Sequence, residues 1–155
     1  MTERNIEREF KKYKAHFIKK LGNHALDNEE IDNECLELFG SKYLGCHSVD
    51  TKFPLKPGYY VVNTDIASGD GIHWISMYLT KKTAYIFDSF ARDIDTIAPI
   101  LTKRLRRAKF KIKFDTKDKE QRPFYNKRMT VSCGHSCIAF LLCAHKFGIR
   151  KAILI

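Results

Sequence analysis

A chain of 155 residues, 44% of them apolar and 12% aromatic, can bury a substantial core and is not disordered in composition. No apolar run approaches the ~20 residues that span a bilayer, and charges throughout residues 1–20 exclude a secretory signal peptide. We therefore predict a soluble, monomeric single domain over residues 1–155, with a helical part (1–40) and a core (41–155). The formal net charge of +10 indicates a polyanionic partner, with a solvated basic surface as the alternative.

Five cysteines make an odd count without a paired framework, which is typical of reduced thiols in an intracellular protein. A zinc site is the alternative, because Cys and His residues crowd residues 133–145. Within one helix, however, only ligands three or four residues apart share a face, and no second pair of ligands occurs elsewhere. We therefore predict no metal site and no required cofactor.

Two helices are predicted in the first forty residues. Apolar side chains recur at helical spacing in residues 5–21 and again in residues 28–39, where Leu36 is placed on the buried face. Asp27 or Asn28 is the predicted N-cap of the second helix, because a short polar side chain accepts hydrogen bonds from the first free N–H groups.

The middle of the chain has the composition of short β-strands after a predicted loop at residues 42–47. A hairpin turn joins the last two strands, so the start of one strand lies beside the end of the next. This register brings His73 and Asp88 to the same edge of the sheet. The predicted strands are residues 59–63, 72–79 and 84–88.

The last third of the chain is predicted to contain two helices and two further strands. The predicted fold class is α+β, a small, mainly antiparallel sheet with helices packed on it. One helix is predicted from Asp93 or Asp95 to about Arg107, with a start nearer Thr96 as the alternative, because proline is tolerated only in the first turn. The other predicted elements are a strand at 109–114, a polar loop at 115–127, a helix at 133–147 and an edge strand at 152–155.

The sequence SCGHSC at residues 132–137 opens the long apolar helix and places Cys133 at its N-terminus. Unpaired backbone N–H groups and the helix dipole favour the thiolate over the thiol at such a position. We therefore predict that Cys133 is a nucleophile. The alternative is an ordinary buried helix cysteine.

A nucleophilic thiol needs a base within ~3 Å and a group that orients that base. His73 is the predicted base, because histidine has a pKa near neutrality, and Asp88 is the predicted orienting group. Trp74, beside His73, is predicted to wall the site and limit the entry of water. Taken singly, His73 could instead be a strand histidine whose hydrogen bonds are satisfied within the fold, and Asp88 could be a cap at the end of a strand.

Three sequence blocks, GDGIHW (69–74), YIFDSF (85–90) and SCGHSC (132–137), resemble in this order those of the adenovirus-type maturation cysteine proteases, the adenain-like family. The resemblance is closer still to relatives in virophages and Maverick/Polinton-type elements, and it covers residues 36–147. The blocks are specific together and weak singly. The wider superfamily includes proteases of ubiquitin-like modifiers. The upstream blocks are YLG (43–45), KFP (52–54) and VNT (62–64).

The resemblance implies a cysteine-protease fold of the adenain/ubiquitin-like-protease type. It implies a thiol endopeptidase that cleaves capsid and core precursor proteins at Gly-containing sites during virion maturation. Cys133 is then the nucleophile, His73 the base and Asp88 the third member, where adenain has a glutamate. The implied location is the virion and, in the host cell, the cytoplasm or nucleus at the assembly site.

The chain departs from the family's pattern at two positions. The family has a Gln six or seven residues before the cysteine as an oxyanion donor. Here Asn126 offers the same amide on a shorter side chain, and Gln121 is the alternative. The family's activating peptide is disulfide-linked eighteen residues before the nucleophile, where this chain has Asp115. We therefore expect no covalent activator, and DNA or a non-covalent peptide are the candidates.

Basic residues cluster on one predicted helix end and one strand face. The resemblance implies non-specific DNA binding through phosphate contacts, with steep salt dependence. A solvated basic face is the alternative. The cluster consists of Lys103, Arg104, Arg106, Arg107, Lys109, Lys111 and Lys113.

Three functions are therefore open from the sequence. They are a viral maturation endopeptidase, a deconjugase of ubiquitin-like proteins, and a catalytically silent, basic nucleic-acid-binding protein on the same fold. A thiol-reactive probe separates the third from the first two, because only a catalytic site needs one cysteine to react faster than the others.

Overall fold

A computed structural model describes residues 2–69, 73–114 and 132–155, which form an α+β fold. No helix in these ranges is both long and apolar enough to cross a membrane. In chain order, the helices are α1 (Glu3–Leu21), α2 (Asn28–Phe39), α3 (Ile94–Ile97), α4 (Pro99–Arg107), α5 (Cys133–Phe147) and α6 (Ile149–Ala152). The strands are β1 (Tyr43–Ser48), β2 (Gly58–Asn63), β3 (Trp74–Leu79), β4 (Thr83–Phe87) and β5 (Lys111–Lys113).

The sheet has five strands in the order β1-β2-β3-β4-β5. The two inner pairs, β2–β3 and β3–β4, are antiparallel, but the two outer pairs, β1–β2 and β4–β5, are parallel. The predicted mainly antiparallel sheet is therefore wrong, and the sheet is mixed. Parallel neighbours need a long crossover connection, and α3 and α4 supply it between β4 and β5.

The predicted loop at residues 42–47 is wrong, because β1 begins at Tyr43. The register of β1 shifts between Tyr43 and Cys46, and Gly45 between them has a φ of 102°. Such a bulge interrupts the alternation by which strands are recognised. Asp32 of α2 accepts from the backbone N–H of Cys46 at 3.0 Å and from the Tyr43 hydroxyl at 2.6 Å, which attaches β1 to α2.

Three further expectations are corrected. The single helix predicted before Arg107 is split at Ala98, because Pro99 disfavours helical geometry in the residue before it. The edge strand predicted at 152–155 is absent from the described chain, where α6 and a turn end the fold. Leu36, predicted to be buried, is 52% exposed. The buried face of α2 consists of Ile31, Glu34, Cys35 and Phe39.

The helices predicted for residues 5–21, 28–39 and 133–147 are confirmed. Asp27 is the N-cap of α2 and forms a capping box with Glu30. Helix α5 is buried from Cys133 to Ala144, between the sheet on one side and α1 and α2 on the other. Burial on all sides fixes the position of the N-terminus of α5 relative to β3 and β4.

Candidate active site

Cys133 is the first residue of α5, and its exposed fraction is 5%. The backbone N–H of Trp74, at the start of β3, donates to its Sγ atom at 3.4 Å. An N–H donor and the positive end of the helix dipole both stabilise a thiolate more than a thiol. The two elements therefore supply Cys133 with the surroundings that a nucleophilic cysteine needs.

His73 and Asp88 form a buried pair beside this thiol. Nε2 of His73 lies 2.5 Å from Oδ1 of Asp88, and the two side chains are 3% and 1% exposed. His73 directly precedes β3, and Asp88 directly follows β4. Because the β3–β4 hairpin pairs Ser76 with Phe87, its register places both residues at the same edge of the sheet, as the sequence predicts.

The imidazole of His73 is oriented by this pairing. Because Nε2 faces Asp88, Nδ1 is the nitrogen left for a proton from Cys133, and Nδ1 is buried with no hydrogen-bond partner among the described residues. Burial alone would lower the pKa of His73. The hydrogen bond to Asp88 and the neighbouring Cys133 sulfur outweigh burial and raise this pKa above its ordinary value of 6.5.

Asp88 is held as a carboxylate. Burial would raise its pKa, but hydrogen bonds from His73 and Arg92 lower the pKa well below its ordinary value of 3.8. The backbone N–H of Arg92 donates to Oδ2 at 3.0 Å, and its Nε donates to the same oxygen at 2.9 Å. Oδ2 therefore accepts from Arg92, whereas Oδ1 faces Nε2 of His73 and also accepts from Nη2 of Arg92 at 3.4 Å.

Arg92 is the site residue that the sequence did not indicate. A tight turn, closed by the Ala91 N–H on the Asp88 carbonyl at 2.8 Å, returns Arg92 to the Asp88 carboxylate. The turn passes through Ala91 at a φ of 52°, a conformation that is uncommon for alanine. Asp88 and Arg92 are four residues apart, a spacing that predicts a contact only within a helix. Here the turn, not a helix, brings the two side chains together. The only available signal was an arginine close to a predicted buried acid.

Replacing Arg92 by glutamine is expected to shift acid unfolding to higher pH. A carboxylate with a lowered pKa contributes stability above its ordinary pKa, and this stability is lost as the pH falls through the folded-state pKa. Without the guanidinium, the folded-state pKa of Asp88 rises, so the loss begins earlier on acidification. Urea unfolding between about pH 2 and pH 7 measures this. Arg107→Gln, at an exposed position of α4, is the control. If the free energy of unfolding falls with decreasing pH in the same way for both variants, Arg92 does not lower the pKa of Asp88.

A cleft of about 450 Å³ opens beside Cys133 and His73, within the size range of ligand-binding clefts. Its walls come from β1, from the α1–α2 connection and from the connection between β2 and β3. Trp74 lines it, and its indole N–H donates to the carbonyl oxygen of Leu26 at 2.9 Å. Trp74 therefore lies where the sequence predicts a wall of the site.

The basic cluster is divided by the fold. Arg106 forms an ion pair with Asp95, and Arg104 donates to the carbonyl oxygen of Phe53 and lies over its ring. Lys111 and Lys113 are exposed on β5. Their register partners on β4 are Thr83 and Tyr85, whereas Ile112 points to the opposite face, where α4 packs. The α4 and β5 parts of the cluster therefore belong to different faces of the sheet.

Asn126, Gln121 and Asp115 lie outside the described residues. Within the described ranges, no group of three or more His, Cys, Asp or Glu side chains is placed to hold a metal ion.

A thiol at a helix N-terminus, an imidazole beside it and a carboxylate that orients the imidazole are the parts of a nucleophilic cysteine site. No family model matches the sequence, and a comparison with curated proteins finds no match. The assignment of a function therefore depends on the geometry and on the sequence blocks alone.

Proposed function

We propose that this chain is a cysteine endopeptidase that cleaves capsid and core precursor proteins at Gly-containing sites during virion maturation. The observation that carries the proposal is the His73–Asp88 pair at 2.5 Å, whose free ring nitrogen is available to Cys133. The order of the sequence blocks around His73, Asp88 and Cys133 supports the viral class. The proposed location is the virion and the host compartment in which virions assemble.

In the proposed acylation step, the Cys133 thiolate attacks the carbonyl carbon of the scissile peptide, and the carbonyl electron pair moves to oxygen. The backbone N–H of Cys133 is the proposed donor to this oxyanion, together with the amide of Asn126 or, as the alternative, Gln121. Imidazolium Nδ1 of His73 then gives its proton to the leaving amine as the C–N bond breaks. The product on the protein is a thioester.

In the proposed deacylation step, water attacks the thioester carbon while Nδ1 of His73 takes the proton of the water. The acid product leaves as the C–S bond breaks, which restores the thiolate and the imidazolium. Asp88 keeps its charge throughout and stabilises the imidazolium through Nε2–H. The hydrogen bond to Asp88 and the nearby Cys133 sulfur raise the pKa of His73, and a raised pKa favours the imidazolium that gives its proton to the leaving amine.

A deconjugase of ubiquitin-like proteins is the alternative enzyme, because it would use the same three side chains. A catalytically silent, basic nucleic-acid-binding protein is the alternative without catalysis, and it has no need for a buried His–Asp pair beside a thiol. Non-specific DNA binding, either as the main activity or as an activator beside a non-covalent peptide, stays a proposal.

Incubating the chain with viral precursor proteins and with ubiquitin-like fusions, each with and without DNA, distinguishes these functions. We expect cleavage of the precursors next to glycine, and mass mapping of the products identifies the bonds. Cleavage confined to ubiquitin-like fusions supports the deconjugase. No cleavage of either set, under conditions in which DNA is bound, contradicts both enzymes.

A further inference from the structure

The charge of this basic protein is unevenly distributed along the chain. Residues 22–79 contain nine Asp and Glu against three Lys, a formal net charge of −6. The rest of the chain has nine Asp and Glu against twenty-five Lys and Arg, a formal net charge of +16. The acidic part supplies α2, β1, β2, β3 and their connections, and these elements form most of the cleft.

Three carboxylates lie in the cleft wall or directly against it. Asp27 lines the cleft. Oδ1 of Asp50 accepts from the N–H of Ala67 at 2.8 Å, and Ala67 is a lining residue. The carboxylate of Asp65 lies against Gly69, another lining residue, where an added Cβ atom would come within 2.1 Å of its Oδ2. None of the lining residues in the described chain is a lysine or an arginine.

The cleft also contains the buried imidazole that faces Cys133. His73 lines it with an exposed fraction of 3%, and its Nδ1 has no hydrogen-bond partner among the described residues. This observation is independent of the carboxylates. It marks the end of the cleft at which a bound molecule meets the thiol.

We propose that the cleft selects substrate segments that carry lysine or arginine near the scissile bond and disfavours acidic ones. The inference rests on the proposed function and names the class of peptide that this site takes. A cleft lined by one sign of charge concentrates ligands of the opposite sign and raises their association rates by about 10- to 1,000-fold. The net charge of the whole chain, +10, instead attracts anionic ligands. The local charge of the cleft and the net charge of the protein therefore predict opposite preferences.

Methanethiosulfonate reagents of different charge test this preference for cationic ligands without a peptide substrate. Reagents that carry an ammonium, a sulfonate or no charge transfer the same kind of thio group to a thiolate and release methanesulfinate. Their rates at Cys133 are followed by mass spectrometry and divided by their rates with 2-mercaptoethanol. We expect the ammonium reagent to exceed the sulfonate reagent by about tenfold or more at low salt, and this ratio to fall towards one as salt is added.

The combined variant Asp27→Asn, Asp50→Asn and Asp65→Asn keeps the hydrogen-bond acceptors and removes the charges. It is expected to lower the ratio severalfold. Glu37→Gln is the matched control, because Glu37 is 72% exposed on α2, outside the cleft lining, and its removal should leave the ratio unchanged. If the combined variant does not fold, the charge selection is tested by the wild-type ratio and by the ratio of the single variant Asp65→Asn, which should also be lowered.

A wild-type ratio at or below one overturns the inference, as does a ratio that the Asn variants do not change. Peptide cleavage is measured separately. A high ratio without cleavage of any precursor contradicts the proposed function and leaves the charge selection supported. Cleavage together with a ratio at or below one contradicts only the charge selection.

Discussion

Replacing Cys133 by alanine is expected to abolish precursor cleavage, with a loss of at least about 10⁴-fold in kcat/KM. Without the sulfur no thioester forms, and the binding cleft alone cannot replace the covalent step. The measurement is the initial rate of product formation, followed by mass spectrometry. Thermal unfolding of the same variant shows whether the fold is kept.

Cys143→Ala is the matched control for this prediction. Cys143 lies in the same helix and is fully buried, but it is ten residues further along, about 15 Å at the rise of an α-helix. The same change of side chain there should leave cleavage close to the wild-type rate. If Cys133→Ala retains activity, or if Cys143→Ala loses it to the same extent with its fold intact, Cys133 is not the nucleophile.

Replacing His73 by alanine is expected to lower kcat/KM by about 10³- to 10⁴-fold. The thiol then has no base in the site, and the leaving amine has no proton donor. Alkylation of Cys133 by iodoacetamide near neutral pH should slow as well, because the imidazolium that pairs with the thiolate is missing. Both rates are measured on the same preparation.

The second buried histidine of the site region is the control for this change. His135 lies only two residues after Cys133, is fully buried, and has its Nε2 at 2.8 Å from the carbonyl oxygen of Gly22. Burial lowers the pKa of His135, which fits a neutral side chain that donates to that carbonyl. His135→Gln keeps a donor and should retain both cleavage and alkylation. Equal losses for the two variants contradict a specific role of His73.

The parts of the site that depend on local patterns could be predicted from the sequence. An apolar run after a Cys-Gly pair predicts a helix with Cys133 at its start. Two strands of ordinary length joined by a short turn predict that His73 and Asp88 meet. Both results need only the periodicity of helices and the register of a hairpin.

The remaining features depend on interactions that a local pattern does not contain. Strand β1 carries a bulge at Gly45 and is held by a side chain of α2, so its alternation is broken. Arg92 reaches Asp88 only through a turn at Ala91 with positive φ. Such a turn is expected at glycine rather than at alanine, so the sequence gives no signal for it. The acidic balance of residues 22–79 is visible in the sequence, but only the fold brings the carboxylates of Asp27, Asp50 and Asp65 to one cleft.

The most direct test of the account is competitive alkylation of the native chain by limiting iodoacetamide near neutral pH, with each of the five cysteines quantified by mass spectrometry. Cys133 should be labelled well before Cys35, Cys46, Cys137 and Cys143. Equal labelling of all five, or preferential labelling of another cysteine, would contradict it.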